Sequence, residues 1–168
     1  MTQSRRDALK LMGAAAATAA LPSTLMADSH EAKTEGPVTH EVLMLSKHPD
    51  DKKKRNVFVP AVLKINPGDT VKFVAVDKGH NSLSTKGMIP EGAEMWKSKL
   101  SKDFEVTLDV EGTYGYNCQP HQSLGMVGLI LVGDASVNFE DAKGVKQRGK
   151  AKKVMAELFE EAEAMMAG

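Results

Sequence analysis

Short apolar segments separated by turn signals occupy the chain from residue 41 to residue 132. Residues 104–110 alternate apolar and polar side chains, which predicts a half-buried strand. Residues 66–69 read Asn-Pro-Gly-Asp, a strong turn signal. Residues 57–65 form an apolar run with Pro60 inside it, which indicates an edge strand or a bulge. Many short strands with regularly placed turns predict an all-β sandwich.

The pattern changes after the last apolar strand, predicted at residues 126–132. A short helix is predicted at about residues 134–143, and a longer one follows it. The longer helix has an apolar stripe at helical spacing, made of Ala151, Val154, Met155, Leu158, Phe159, Ala162 and Met165. Such a stripe is expected to pack on the domain and not to bind a ligand. The fold prediction is therefore a β-sandwich with two C-terminal α-helices.

Residues 1–27 have the features of an export signal. Arg5 and Arg6 precede Leu9 and Lys10, as in a twin-arginine signal, and the apolar run at 11–21 is too short to span a membrane. The alternative is an ordinary Sec signal, and either route leads out of the cytoplasm, to the periplasm. With cleavage after Ala27, we expect a flexible leader at residues 28–39 and one domain at residues 40–168.

The charge and cysteine content exclude several classes of protein. Lys plus Arg and Asp plus Glu both number 22, and aromatic residues are sparse, so nucleic-acid binding is not expected. Cys118 is the single cysteine, so it has no partner for an internal disulfide. It is either a buried free thiol or a thiolate bound to a metal.

A loop between two predicted strands favours the metal. Cys118, His121 and Met126 supply a thiolate, an imidazole and a thioether within nine residues. Soft sulfur and imidazole nitrogen together suit copper, and a blue-copper site needs two His, one Cys and a weak axial Met. Zinc is the chemical alternative, but Met is a poor ligand for zinc.

The loop lacks one histidine, which must come from elsewhere in the fold. The candidates are His30, His40, His48 and His80. His80 is the best of the four because it follows a predicted strand and Gly79. Asn81 comes next and is expected to brace a neighbouring loop.

Four motifs carry a resemblance to a known family. They are Pro-Gly-Asp-Thr-Val at 67–71, Asp-Lys-Gly-His-Asn at 77–81, Gly-Met-Ile-Pro-Glu-Gly-Ala at 87–93, and Cys118-x-Pro-His121-x4-Met126. With these motifs the sequence resembles the pseudoazurins, a subfamily of the cupredoxins, over nearly all of the chain after the signal. The resemblance implies a Greek-key sandwich of eight strands and the copper ligands His80, Cys118, His121 and Met126.

Four protein ligands leave no clearly open position for a substrate, so a single-electron carrier is expected and not an enzyme. The alternative is a copper storage or delivery protein. The resemblance implies copper nitrite reductase or related periplasmic reductases of denitrification as partners of a monomer. Docking is expected near His121, with Leu124 and Gly125 in an apolar patch. The expected lysine rim comprises Lys47, Lys78, Lys86, Lys97 and Lys99.

Cleavage after Ala27 has one further consequence. The new N-terminus would read Asp28-Ser29-His30, and a free amine with histidine in third place can surround Cu(II) with four nitrogens in a plane. The sequence therefore predicts a second, weakly coloured Cu(II) site that depends on His30.

Overall fold

The computed structural model describes residues 36–168. The expected export signal, residues 28–35 of the expected leader, and His30 lie outside the described residues. The first strand begins at Thr39, so the last residue of the expected leader belongs to that strand. No helix within residues 36–168 has the length and the apolar character needed to cross a membrane.

In the described part of the chain, eight strands form two four-stranded sheets, which confirms the predicted Greek-key β-sandwich. In sheet A the order is β2-β1-β4-β6, and in sheet B it is β3-β8-β7-β5. The pairs β1–β4 and β3–β8 are parallel and the others antiparallel. The strands are β1 (Thr39–Lys47), β2 (Arg55–Val59), β3 (Val62–Ile65), β4 (Asp69–Val74), β5 (Leu83–Ser84), β6 (Phe104–Leu108), β7 (Gly112–Asn117) and β8 (Val127–Val132).

The apolar run around Pro60 is two strands and not one. The chain leaves sheet A after Val59 and enters sheet B at Val62, so Pro60 lies in the corner between the sheets. The sequence predicted an edge strand or a bulge. Both β2 and β3 are edge strands. A proline has no N–H to donate to a neighbouring strand, so it is tolerated at the edge of a sheet.

Strand β8 is continuously apolar because both of its faces are covered. Ile130 and Val132 point into the core between the sheets, whereas Leu129 and Leu131 pack against the C-terminal helices. Residues 36–168 therefore form two apolar cores, one on each face of sheet B.

The second core is formed by the helical C-terminus. A 3-10 turn (Ala135–Asn138) leads into helix α1 (Phe139–Gly144), and helix α2 (Ala151–Ala167) follows. Met155 and Phe159 of α2 are buried against sheet B, as the apolar stripe predicted. Met165 was included in that stripe, and this was wrong. It is 37% exposed, and Met166 packs against the core in its place, because the helix end turns that position towards solvent.

Candidate metal centre

His80 is held in place at its backbone and at its ring. Its carbonyl accepts a hydrogen bond of 2.8 Å from the N–H of Ser101, and the neighbouring Gly79 N–H donates to Ser101 Oγ at 2.9 Å. The ring atom Nε2 lies 3.0 Å from Ser46 Oγ. When Nε2 carries the proton and donates it to Ser46, Nδ1 has a free lone pair, as a metal ligand requires.

Three other candidate ligands lie on the loop that joins β7 to β8. The N–H of Cys118 donates to the carbonyl of Met126 at 3.0 Å, and the N–H of Met126 donates to the carbonyl of His121 at 3.1 Å. The N–H of His121 donates in turn to the carbonyl of Cys118 at 3.1 Å. Backbone bonds therefore connect all three residues, and both Cys118 and Met126 are fully buried.

The donor atoms of His80, Cys118 and His121 form a compact triangle. The two Nδ1 atoms are 3.2 Å apart, and Cys118 Sγ lies 3.8 Å from the first and 3.5 Å from the second. A point equidistant from all three lies about 2.0 Å from each, the circumradius of a triangle with these sides. Bonds between nitrogen and a first-row metal such as zinc have about that length. The residues therefore fit a metal ion at the centre of the triangle.

The protonation states agree with this fit. Burial and the facing His121 lower the pKa of His80, with partial opposition from Asp77, so its imidazole stays neutral. Burial raises the pKa of the Cys118 thiol, although the backbones of Asn81 and His121 oppose the shift. A buried thiol of this kind loses its proton when a cation takes the proton's place.

Asn81 connects the segment of His80 to the loop of Cys118. Its Oδ1 accepts a hydrogen bond of 2.9 Å from the N–H of Gln119, and its Nδ2 donates to the carbonyl of Ser98 at 3.3 Å. The side chain is 3% exposed. The bracing role expected of Asn81 is therefore present in the structure.

The other described histidines lie away from this triangle. His40 Nε2 is 2.9 Å from Asp69 Oδ2, and His48 Nδ1 accepts hydrogen bonds from the N–H groups of Asp50 and Asp51. Within residues 36–168, no other group of three or more histidine, cysteine or carboxylate side chains converges closely enough to hold a metal ion.

Ser46 is the site residue that the sequence analysis missed. It lies 34 positions before His80, and a lone serine near the end of a strand carries no signal of its own. It reaches the ring because Asp77 holds the end of β1, accepting a hydrogen bond of 2.7 Å from the N–H of Ser46.

The surface around the triangle is partly apolar and partly basic. His121 is half-buried, and Leu124, three residues after it, is 50% exposed. Lys97 and Lys99 border a groove that also contains Asn81 and Pro120. All five lysines of the expected rim are exposed.

A two-sheet sandwich with a largely buried His–Cys–His triangle and a buried methionine on the same loop is typical of the blue-copper class of proteins with the cupredoxin fold. The family model "Copper binding proteins, plastocyanin/azurin family" matches residues 47–133. Pseudoazurin from Paracoccus pantotrophus is 45% identical over 121 residues, which cover 71% of this chain and 81% of that protein. The chain belongs to the plastocyanin/azurin family, and within it to the pseudoazurins.

Solved structures agree with this assignment. A pseudoazurin from Sinorhizobium matches with a TM-score of 0.72 at 47% identity and covers 75% of this chain and 97% of that one. The pseudoazurin of Methylobacterium extorquens AM1 matches with a TM-score of 0.70 at 40% identity, covering 74% and 98%. The protein is thus a blue-copper electron-transfer protein and not an enzyme, and copper, not zinc, is its metal.

Proposed function

We propose that His80, Cys118, His121 and Met126 hold one type 1 copper ion and that the protein carries single electrons through this site. The observation that supports the ligand set is the triangle of two Nδ1 atoms and Sγ, with edges of 3.2, 3.5 and 3.8 Å. Met126 is joined to Cys118 and His121 by backbone hydrogen bonds and would supply the weak thioether donor of such sites. The bound copper supplies reversible one-electron chemistry.

The protein's own groups keep this site rigid and dry. Cys118, His80 and Met126 are buried, and His121 is the ligand that is partly exposed. We therefore assign His121 as the point where electrons enter and leave. The half-exposed Leu124 provides apolar contact around that point, where a partner can approach and exclude water.

The partner in this proposal is an acidic periplasmic redox enzyme, such as copper nitrite reductase or a related reductase of denitrification. Periplasmic location rests on the signal-like residues 1–27, whose removal leaves a leader at 28–39 and a monomeric domain at 40–168. Mass analysis of the protein purified from its natural compartment tests the cleavage after Ala27.

The lysine rim supports docking by charge. Lys78 adjoins Gly79 in the sequence, and Lys97 borders the groove beside Asn81 and Pro120. Charges at the edge of an interface act mostly on the association rate, and salt screens them. The electron-transfer rate with an acidic partner should fall as ionic strength rises, and fall further in Lys78→Ala and Lys97→Ala.

Lys64 offers a matched control for the docking experiment. Its Nζ lies 3.2 Å from the carbonyl of Met165 near the end of α2, whereas the start of that helix adjoins the ligand loop. A helix of 17 residues is about 25 Å long. Lys64→Ala should therefore leave the rate unchanged. A rate that does not respond to salt contradicts docking by the lysine rim.

An absorption spectrum of the copper-loaded protein tests the ligand assignment. The oxidised protein should be intensely coloured with one copper per chain, whereas a Cu(I) storage protein would be colourless. Cys118→Ser should abolish the colour because the charge-transfer band needs the thiolate. If Cys118→Ser stays coloured, the assignment is wrong.

Met126→Leu tests the axial position. The variant should keep its copper and its reduction potential should rise, because a weak donor to the oxidised ion is lost. Met88→Leu is the control, since Met88 is equally buried but packs in the second core against Gly115. Equal potentials in Met126→Leu and the wild type would contradict the axial role.

A further inference from the structure

The ligand loop contains a short turn that makes little core contact of its own. Residues Gln122–Leu124 form a 3-10 turn between His121 and Met126, and none of the three is buried. Ser123 and Leu124 are exposed. Buried apolar contacts of its own therefore do not hold this turn against the rest of the domain.

The beginning of helix α2 contacts this turn directly. The backbone N–H of Lys150 donates a hydrogen bond of 2.9 Å to the carbonyl of Ser123. Lys150 immediately precedes Ala151, the first residue of the helix, which is fully buried. Met155 and Phe159 fix the same helix on sheet B, so the turn rests on a rigid support.

Two glycines allow the close approach. Gly149 has φ +57°, and a Cβ placed there would lie 2.5 Å from the backbone oxygen of Ser123. Gly125 has φ +98°, and a Cβ there would lie 3.0 Å from Cγ2 of Val154 on the helix. The turn therefore packs closely against the backbone at Gly149 and against the side chain of Val154.

Displacement of the turn would reach the ligands. The carbonyl of His121 accepts hydrogen bonds from Leu124 N–H at 3.0 Å and from Met126 N–H at 3.1 Å. Gly125 N–H donates to the carbonyl of Gln122 at 2.9 Å. The loop is thus a small hydrogen-bonded unit, and moving one residue of it moves the residues that carry the ligands.

We propose that Gly149, Lys150 and Val154 are positioning residues for the copper site. Gly149 and Lys150 hold the His121–Met126 turn through the carbonyl of Ser123, and Val154 packs against Gly125 of the same turn. The inference rests on the proposed ligand set. It assigns the start of the C-terminal helix a role in setting the geometry of the metal centre, besides its packing on sheet B.

The test is Gly149→Ala in the full copper-loaded protein. The new methyl group must move by about 0.5 Å relative to the Ser123 oxygen to reach a 3.0 Å separation. Binding sites need their ligands held to within about 0.5 Å. The ratio of the thiolate-to-copper absorption bands should change and the reduction potential should shift from the wild-type value.

Gly92→Ala is the matched control. Gly92 has φ +83°, where alanine carries at least as much backbone strain as at Gly149, but its Cβ would meet no atom within 4 Å. It should lose stability and keep the wild-type spectrum and potential. If Gly149→Ala also keeps both, or if Gly92→Ala changes them equally, the inference is overturned.

A second pair of variants applies if Gly149→Ala does not fold. Val154→Ala removes the side chain that faces Gly125, at a position where alanine favours the helix. It should shift the potential, whereas Met165→Ala at the other end of α2 should not. A wild-type potential in Val154→Ala overturns the inference. If Cys118→Ser keeps its colour instead, it is the proposed ligand set that fails.

Discussion

Asn81→Ala should weaken both the fold and the metal centre. The side chain joins the segment of His80 to the loop of Cys118 through its hydrogen bond from Gln119, and its second bond goes to Ser98. Alanine removes both bonds, which leaves the N–H of Gln119 without its acceptor and the carbonyl of the buried Ser98 without this donor. The first consequence is lower stability, and the second is a Cys118 loop that is no longer fixed relative to His80.

The expected loss of stability in Asn81→Ala can be worked out from these two hydrogen bonds. Each hydrogen bond contributes about 1 kcal/mol net, and an unpaired buried group costs a further ~1–3 kcal/mol. We expect the free energy of unfolding to fall by about 3 kcal/mol. For a domain of this size, 1 kcal/mol corresponds to roughly 4 °C, so the melting temperature should fall by about 12 °C.

Asn138 provides a control with nearly the same chemistry. Its Oδ1 accepts a hydrogen bond of 2.7 Å from the N–H of Thr113, and its Nδ2 donates to the carbonyl of Thr113 at 2.9 Å. These bonds lie at the other end of β7 from Cys118. Asn138→Ala should therefore lose similar stability and keep the wild-type absorption spectrum, whereas Asn81→Ala should change it.

Urea unfolding of the metal-free proteins, followed by the fluorescence of the single buried Trp96, measures the stabilities. Absorption of the copper-loaded proteins measures the effect on the site. A loss below about 1 kcal/mol in Asn81→Ala would refute the energetic argument. A wild-type spectrum in that variant would refute the claim that Asn81 positions the loop.

Other described residues give further predictions. Tyr116 buries its hydroxyl with no hydrogen-bond partner among residues 36–168. Tyr116→Phe should therefore raise the free energy of unfolding by about 1 kcal/mol. A fall of about 1 kcal/mol in that free energy would contradict this prediction. Hydrogen bonding from Val38 and His40 lowers the pKa of Asp69 below its ordinary 3.8. The ionised carboxylate therefore stabilises the fold above about pH 4, and this contribution disappears as pH falls from 3.8 through the lowered pKa. The stability difference between wild type and Asp69→Asn should shrink as pH falls below 3.8 in acid-unfolding curves; a difference that stays constant in that range would exclude the linkage. Ser46→Ala should raise the reduction potential by an amount on the order of tens of mV, because the imidazole loses its acceptor and donates less well to the oxidised ion, while Ser46→Thr should restore it.

Much of the fold follows from local sequence. The alternation at residues 104–110 predicted β6, and the Asn-Pro-Gly-Asp turn lies directly before and at the start of β4. The apolar stripe predicted α2, with the exception of Met165 at its end. The run around Pro60 was harder, because an apolar segment looks the same whether it stays in one sheet or crosses to the other.

The ligand loop also follows from local sequence, because chain connectivity keeps Cys118, His121 and Met126 close in almost any fold. The position of the fourth proposed ligand does not follow from local sequence. Choosing His80 from the sequence relied on its neighbours Gly79 and Asn81, and on a family resemblance. The contact itself depends on how β4, β7 and β8 are arranged in the two sheets.

The sequence by itself determined the type of metal site and the sandwich class, through donor chemistry and the period of the strands. The tertiary structure decided which distant groups support the site: Ser46 on the ring of His80, and Gly149 and Lys150 on the carbonyl of Ser123. The physical reason is that these contacts join residues 34 and about 26 positions apart, and a serine or a glycine leaves no periodic signal. Only the packing of strands and helix brings such residues together.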